Sequence, residues 1–389
     1  MSGDGKRTMT AAEILAERRR AVGKVRRIVV KVGSAVLTRD GAGLDARVLG
    51  RIARDTAEVL SSGREVILVS SGAIAAGRSR LGMTERPRTI PQKQAAAAVG
   101  QSALIQAWER AFSSRDRRVG QLLLSAEDLA SRRRFLNARH TLLTLLRLGV
   151  VPVINENDTV AVEEIKFGDN DHLSSLVTNL IQADLLVILT DTEGLHDADP
   201  RVSRRARLIP LVREFTPALD RLALSEPGEV GTGGMASKVA AARKTSHFGV
   251  PCVVASGRRR QVVSRILAGE PLGTLFLPRP ERLSSRKHWI AFTREPQGTI
   301  RVDEGAVTAL RERGKSLLPS GVVEVSGRFR SGDLVRIVDP RGHEFARGLA
   351  GYAAEEVGRI RGLRTSEIEQ ALGYRATDEV IHRDDLVLL

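Results

Sequence analysis

The sequence predicts an α/β protein: a three-layer α/β/α sandwich on a mainly parallel sheet over residues 26–260, then a small β-rich domain over 298–389. Three observations predict it. From Arg27 onward, short apolar runs alternate with amphipathic helical stretches, the pattern of βαβ units, whose crossovers make a sheet parallel. Polar, glycine-bearing segments recur at the carboxyl ends of those runs, where open α/β sheets bind ligands. After Gly298 the texture changes to short strands separated by glycine-containing turns. The chain of 389 residues is long enough for two domains, and a hydrophobic content of 42% supports real cores.

Each element has its own signal. Residues 1–25 are polar and charged, with Glu13, Glu17 and Arg18-Arg19-Arg20, and read as a frayed or short amphipathic extension without chemistry. Ile28–Val32 is a buried-type strand. Val48, Ile52, Thr56 and Val59 share one helical face, and Ser61-Ser62-Gly63 stops that helix. Glu65–Ser70 is the next strand, and the Ala-rich stretch 92–112 is a helix. Further strands are expected at 119–124, 150–154, 184–190 and 250–255. Residues 261–297, rich in Arg and Pro, read as a connector. In the C-terminal domain, strands are expected at 299–302, 322–326, 334–338 and 344–351, with two short helices between them and Asp384-Asp385-Leu-Val-Leu-Leu389 as a closing tail.

Composition narrows the class. The single cysteine, Cys252, rules out an internal disulfide and fits a reducing, cytoplasmic setting. Its neighbours in Val250-Pro-Cys-Val-Val-Ala255 make it a buried strand residue rather than a nucleophile. No apolar run approaches the ~20 residues of a membrane helix, no signal-peptide pattern opens the chain, and the seven histidines lack metal-ligand spacing. The formal charge of +15 invites a nucleic-acid partner, but residues 298–389 carry a net −1 while 257–297 carry +6. Aromatics are only 3% of the chain, so base-stacking platforms are scarce. The positive charge sits in the large domain and the connector, where an anionic substrate such as a nucleotide explains it as well as a nucleic acid does.

Residues 231–238 read Gly-Thr-Gly-Gly-Met-Ala-Ser-Lys. Glycines let backbone N–H groups approach an anion, lysine adds a point charge, and the helical run that follows would aim its N-terminus at the same place. An ordinary glycine-rich turn is the competing reading. The segment is not a dinucleotide fingerprint, because no strand precedes it, and not a P-loop, because Lys238 follows Ser237 and precedes Val239.

Other polar groups converge at the strand ends. Lys31 interrupts an apolar strand next to Gly33, either aiming its charge at a transferring phosphate or snorkelling from an edge strand. Ser71-Gly72 offers a hydroxyl and N–H groups at a helix start, or a plain N-cap. Asn155-Glu-Asn-Asp158 and Thr190-Asp191 end two further strands. Gly168-Asp-Asn-Asp-His172 could place carboxylates near Mg²⁺–nucleotide or orient lysines, or could be a solvated turn; it does not fit an EF-hand. No Ser/His/Asp or Cys/His arrangement emerges, which disfavours nucleophilic hydrolysis.

Lys31-Val-Gly-Ser34, Ser70-Ser-Gly-Ala-Ile-Ala-Ala-Gly77, Val151-Pro-Val-Ile-Asn-Glu-Asn-Asp158, Ile165-Lys-Phe-Gly-Asp-Asn-Asp171, Leu189-Thr-Asp-Thr-Glu-Gly-Leu195 and Gly231–Lys238 occur in this order. Together they closely resemble the amino-acid kinase family, in the branch that phosphorylates the γ-carboxylate of glutamate. Phe135-Leu-Asn-Ala-Arg139 and Gly100-Gln-Ser102 fit the same pattern, and Val302-Asp-Glu-Gly-Ala306 with Gly314-Lys-Ser-Leu-Leu-Pro319 resembles a PUA domain. Ser70, where Thr is common, and Ala236-Ser237, where Ser-Thr is common, are the departures.

The resemblance implies ATP and Mg²⁺ as cofactors, L-glutamate as substrate and L-glutamyl 5-phosphate as product, at the first step of proline synthesis. It implies Lys31, Lys238 and Asp169 as catalytic residues, and Ser71, Asp158 and Asn170 around glutamate. Lys31, Gly33, Gly72, Thr190, Asp191 and the loop Thr232, Gly233, Gly234, Met235, Ala236, Ser237 and Lys238 would surround ATP. It further implies feedback inhibition by proline, hand-over of a labile acyl phosphate to a glutamyl phosphate reductase, and a homo-oligomer, dimer or tetramer. Two alternatives stay open: another acylphosphate or nucleotide kinase of the same fold, and RNA binding through the PUA domain.

Overall fold

A computed structural model describes residues 9–39, 43–160, 169–224, 234–278 and 295–389. The chain divides into two compact units, Met1–Arg282 and Leu283–Leu389. The strands of the first are β1 (Arg27–Val32), β2 (Thr38–Arg39), β3 (Gly43–Leu44), β4 (Glu65–Ser70), β5 (Val119–Leu124), β6 (Val151–Glu156), β7 (Leu185–Thr190), β8 (Leu211–Val212), β9 (Cys252–Ser256) and β10 (Thr274–Phe276). Its helices are α1 (Ala11–Val22), α2 (Ser34–Leu37), α3 (Ala46–Ser61), α4 (Ala73–Arg80), α5 (Ile90–Ser113), α6 (Ala126–Ala130), α7 (Arg132–Arg147), α8 (Asp169–Leu180), α9 (Pro217–Leu224), α10 (Met235–His247) and α11 (Val262–Leu267).

Eight strands form one sheet in the order β5-β6-β4-β1-β7-β9-β10-β8, parallel throughout except where β10 runs antiparallel to β9. β1, β4, β7 and β9 bury nearly every residue, as strands covered on both faces must. On one face Leu104, Trp108 and Phe112 of α5 and Leu49, Ile52 and Val59 of α3 pack against Val30, Leu68 and Val153 of the sheet. Burying each large side chain of this kind stabilises by about 1.5–3 kcal/mol. Cys252 is fully buried in β9, where burial pushes its thiol up.

Two local features shape what lies above the strand ends. α4 crosses α5 at glycines: a Cβ on Gly77 would sit 1.7 Å from the Ala96 carbonyl oxygen, and one on Gly100 1.8 Å from that of Ala73. Only glycine permits that approach. Gly72, at φ 104°, turns β4 into α4.

Of the two readings of the N-terminal segment, a short helix holds for residues 11–22: in α1, Thr10 and Glu13 form a capping box, and Val22 joins the core of the large unit. Arg18 is 2% exposed and donates to the carbonyls of Pro210, Glu270, Leu272 and Gly273. A run of three arginines reads as solvated in sequence; the helical turn sends the first of them inward.

The second unit holds a five-stranded sheet, β12-β11-β13-β14-β15, made of β11 (Gly298–Val302), β12 (Val322–Gly327), β13 (Leu334–Val338), β14 (Glu344–Leu349) and β15 (Leu386–Leu388). β11 pairs parallel with β13 and the other pairings are antiparallel. Ile300, Val335, Ile337, Phe345 and Tyr352 fill its core. Among the described residues, three short helices rather than two accompany the sheet: Glu304–Arg311, Ala354–Ile360 and Ile368–Leu372.

Candidate active site

The carboxyl ends of β1, β4, β6 and β7 gather the polar residues. Lys31, next to last in β1, lies in the middle of the sheet and is 5% exposed, so it does not snorkel from an edge. Its Nζ is 2.6 Å from Oδ1 of Asp171, in the first turn of α8. Lys238, in the first turns of α10 and 5% exposed, places its Nζ 3.3 Å from Oδ2 of the same carboxylate. Ser237 donates its hydroxyl to that Oδ2 at 2.6 Å. Residues more than 200 positions apart thus close on one fully buried carboxylate.

The electrostatics follow from burial. Burial alone would raise the Asp171 carboxyl, but the charges of Lys31 and Lys238 outweigh it and hold the group below its usual range. Burial lowers Lys31, Asp171 opposes that, and Lys238 adds to the lowering; the net direction is down. Two buried ammoniums share this carboxylate, and an arriving anion would meet both of them.

Helix ends add to the field. α10 begins after Gly234, where no side chain caps the first N–H groups, and α4 begins after Gly72 in the same way. Both N-termini favour negative charge. At the end of β7, Thr190 is 5% exposed and donates to Asp191 Oδ1 at 3.0 Å. Gly33 is different: its N–H, expected to face an anion, is taken by the Leu189 carbonyl at 3.0 Å. Its lack of a side chain instead leaves room near the Lys31 ammonium, where a Cβ would come within 3.8 Å of Nζ.

A second, uncharged constellation adjoins the first. Asn170, the residue before Asp171, donates to Ser71 Oγ at 3.1 Å and to Asn155 Oδ1 at 3.0 Å, and accepts the Glu156 N–H at 3.3 Å. Asn155, 1% exposed, donates to Gln101 Oε1 at 2.7 Å. Below it, Trp108 Nε1 donates to Ser70 Oγ at 2.9 Å. Asp158 follows β6 and is half-buried.

Of the expected site residues, the structure brings Lys31 and Lys238 together, and Ser71 with Asn170. Met235 is buried at the start of α10, while Ala236 and Ser237 are half-buried beside it. Thr232, Gly233 and the side chain of Asp169 lie outside the described residues. The carboxylate seen between the lysines belongs to Asp171, which sequence reasoning passed over for Asp169. A signal existed: Asp171, Ser174, Ser175 and Thr178 fall at i, i+3, i+4 and i+7 and all are buried, so one face of α8 points inward. Residues two apart on a helix do not share a face, so once α8 is placed Asp169 and Asp171 cannot both point inward alike. Asn155 was also missed as a partner of Asn170, and Gln101 as the partner of Asn155; the tight crossing of α4 and α5 brings Gln101 within reach.

Among the described residues no cluster of three or more His, Cys, Asp or Glu side chains is arranged to hold a metal ion, and no helix is long and apolar enough to cross a membrane. Comparison with known proteins matches the amino acid kinase family to residues 26–256 and the PUA domain to residues 298–372. The glutamate 5-kinase of Citrifermentans bemidjiense is 57% identical over 372 residues, 96% of this chain and 100% of that one. That of Geobacter sulfurreducens is 57% identical over 94% of this chain and 98% of its own length. That of Moorella thermoacetica is 50% identical over 96% and 99%.

Proposed function

This chain belongs to the amino acid kinase family, in its glutamate 5-kinase branch with a C-terminal PUA domain, and from that premise we propose that it transfers the γ-phosphoryl group of ATP to the γ-carboxylate of L-glutamate. The observation that carries the proposal is the buried Lys31–Asp171–Lys238 cluster at the strand ends, where α4 and α10 also begin without side-chain caps. A carboxylate oxygen forms the new bond to the γ-phosphorus, the bond from phosphorus to the β-phosphate oxygen breaks, and ADP leaves with that electron pair. The acceptor is already ionised near neutrality, so no general base is needed. The difficulty is to bring two anions together and to stabilise a transition state with charge spread over the phosphoryl oxygens.

The residues divide that work. Asp171 fixes the two ammoniums and keeps them from repelling one another apart. When the phosphates arrive, Lys31 and Lys238 meet the transferring group and the bridging oxygen, and the α10 N-terminus with Thr190 and Asp191 faces the nucleotide. Mg²⁺ would come with the ATP phosphates, neutralising part of their charge; the two ammoniums of the cluster and the N–H groups of two helix ends suit that polyanion. Ser71 and Asn170 hold glutamate by hydrogen bonds, and Asp158 takes its amino group. On the same reading the enzyme catalyses the first step of proline synthesis in the cytoplasm as a homo-oligomer, is inhibited by proline at the glutamate site, and passes its labile acyl phosphate to a reductase.

The test is ADP release from the purified full chain given Mg-ATP with glutamate, and with aspartate, acetylglutamate, carbamate or UMP in its place. Glutamate alone should support turnover, and millimolar proline should raise the apparent KM for glutamate. Turnover with another acceptor and none with glutamate refutes the assignment; a glutamate curve indifferent to proline removes the inhibition.

A further inference from the structure

We propose that α1 is a positioning element for the nucleotide, acting through Arg18 and Thr274 on the loop that follows β7. The proposal rests on the reading above that Thr190 and Asp191 face ATP. Arg18 is more than nine-tenths buried, and its guanidinium donates to four backbone carbonyls. Burial lowers its guanidinium to about 10. Such a group is costly to place unless its hydrogen bonds fix something.

What it fixes is specific. Arg18 Nη1 bridges the Pro210 carbonyl at 2.8 Å and the Gly273 carbonyl at 3.1 Å. A residue adjacent to each of these carbonyls holds Leu195, the last residue of the loop Thr190–Leu195. Before Pro210, Ile209 donates its N–H to the Leu195 carbonyl at 2.8 Å. After Gly273, Thr274 Oγ1 accepts the Leu195 N–H at 2.9 Å and lies 3.4 Å from the Leu195 carbonyl oxygen. Thr274 is fully buried, and a Cβ on Gly194 would come within 2.7 Å of its hydroxyl, so the loop cannot slide past it. One guanidinium thus ties β8 to β10 and clamps the far end of the loop from both sides. The near end is held where Gly257 donates its N–H to the Thr190 carbonyl at 2.8 Å.

The test compares R18M, R18K, T274V and T274S in the full chain, reading the Kd of Mg-ADP by calorimetry beside the KM of ATP and of glutamate. R18M and T274V should each weaken nucleotide binding about five-fold, in the range for coupling through a packed network, with the glutamate KM within two-fold. T274S keeps the hydroxyl and should bind as the parent does; R18K should fall between. Should R18M not fold, T274V carries the test alone. Nucleotide binding unchanged in T274V, or both KM values rising together, overturns the proposal and leaves Arg18 a staple of the fold. T190V and D191N separate the premise from the relay. If they leave Mg-ADP binding intact, the nucleotide reading fails and the proposal with it; if they weaken it while T274V does not, only the relay fails.

Discussion

Two polar constellations stand side by side at the strand ends, and they are built on opposite principles. One is ionic: Lys31 and Lys238 share the carboxylate of Asp171. The other is neutral: Gln101, Asn155, Asn170 and Ser71 pass hydrogen bonds along a chain of amides to a hydroxyl. Asn170 and Asp171 are consecutive on α8, so one helical turn feeds both. The difference teaches where the fixed charge has to be. A phosphoryl group in transfer carries dispersed negative charge that only preorganised cations stabilise well. An amino acid brings its own charges, and amides that can donate or accept fix its orientation at smaller cost to the empty site.

Removing a cation should therefore do most. K31M and K238M should each lower kcat about 10³-fold, the scale of losing a preorganised group at developing charge, with glutamate KM little changed. A kcat within ten-fold of the parent for either variant breaks the ionic half of the comparison. D171N comes next. It removes the charge of the carboxylate that the two buried ammoniums share, and breaking a buried pair costs about 3–5 kcal/mol, so both kcat and the urea midpoint should fall. A D171N variant as stable and active as the parent would mean the carboxylate does not organise the lysines.

The neutral half should answer in a different constant. N170A or N155A strands buried polar partners, a cost of about 1–3 kcal/mol, and should raise the glutamate KM about ten-fold with the ATP KM nearly unmoved. Q101L, one link further from Ser71, should raise it less. A fall in kcat with both KM values unchanged would erase the distinction.

The fold was more legible than the site, for a physical reason. Strand periodicity is local: 65–70 and 119–124 match β4 and β5 residue for residue, and Ile28–Val32 misses β1 by one. β8 and β10, of two and three residues, give no periodic signal; they are defined by pairing with each other and, in β10, with β9. In the site, Lys31 and Lys238 carry local signals, a charge inside an apolar strand and a lysine after glycines. The choice between Asp169 and Asp171 depends on where α8 begins and which face it buries, and Gln101 enters only through the Gly77–Gly100 crossing. Both are tertiary facts. The same holds for α1, whose arginine run names no acceptors until the turn at 270–273 is folded against it.

The smallest effect expected is one of pH, and it separates chemistry from stability. Lys31 titrates below the ordinary lysine value of 10.5, chiefly because it is buried. The proposed mechanism needs its charged form, so kcat should decline on the alkaline side before an exposed lysine would lose its proton. Unfolding does not cause that decline. With the folded value below the unfolded one, the unfolded chain binds more protons in the interval between them, so the contribution of Lys31 to stability rises with pH there. A kcat profile measured with circular dichroism at each pH should show activity falling while the fold persists. K31R, whose guanidinium stays protonated, should lower kcat at neutral pH through its different shape yet carry the alkaline limb upward. A limb that stays in place in K31R assigns the titration to another group and leaves the Lys31 ammonium a structural charge beside Asp171.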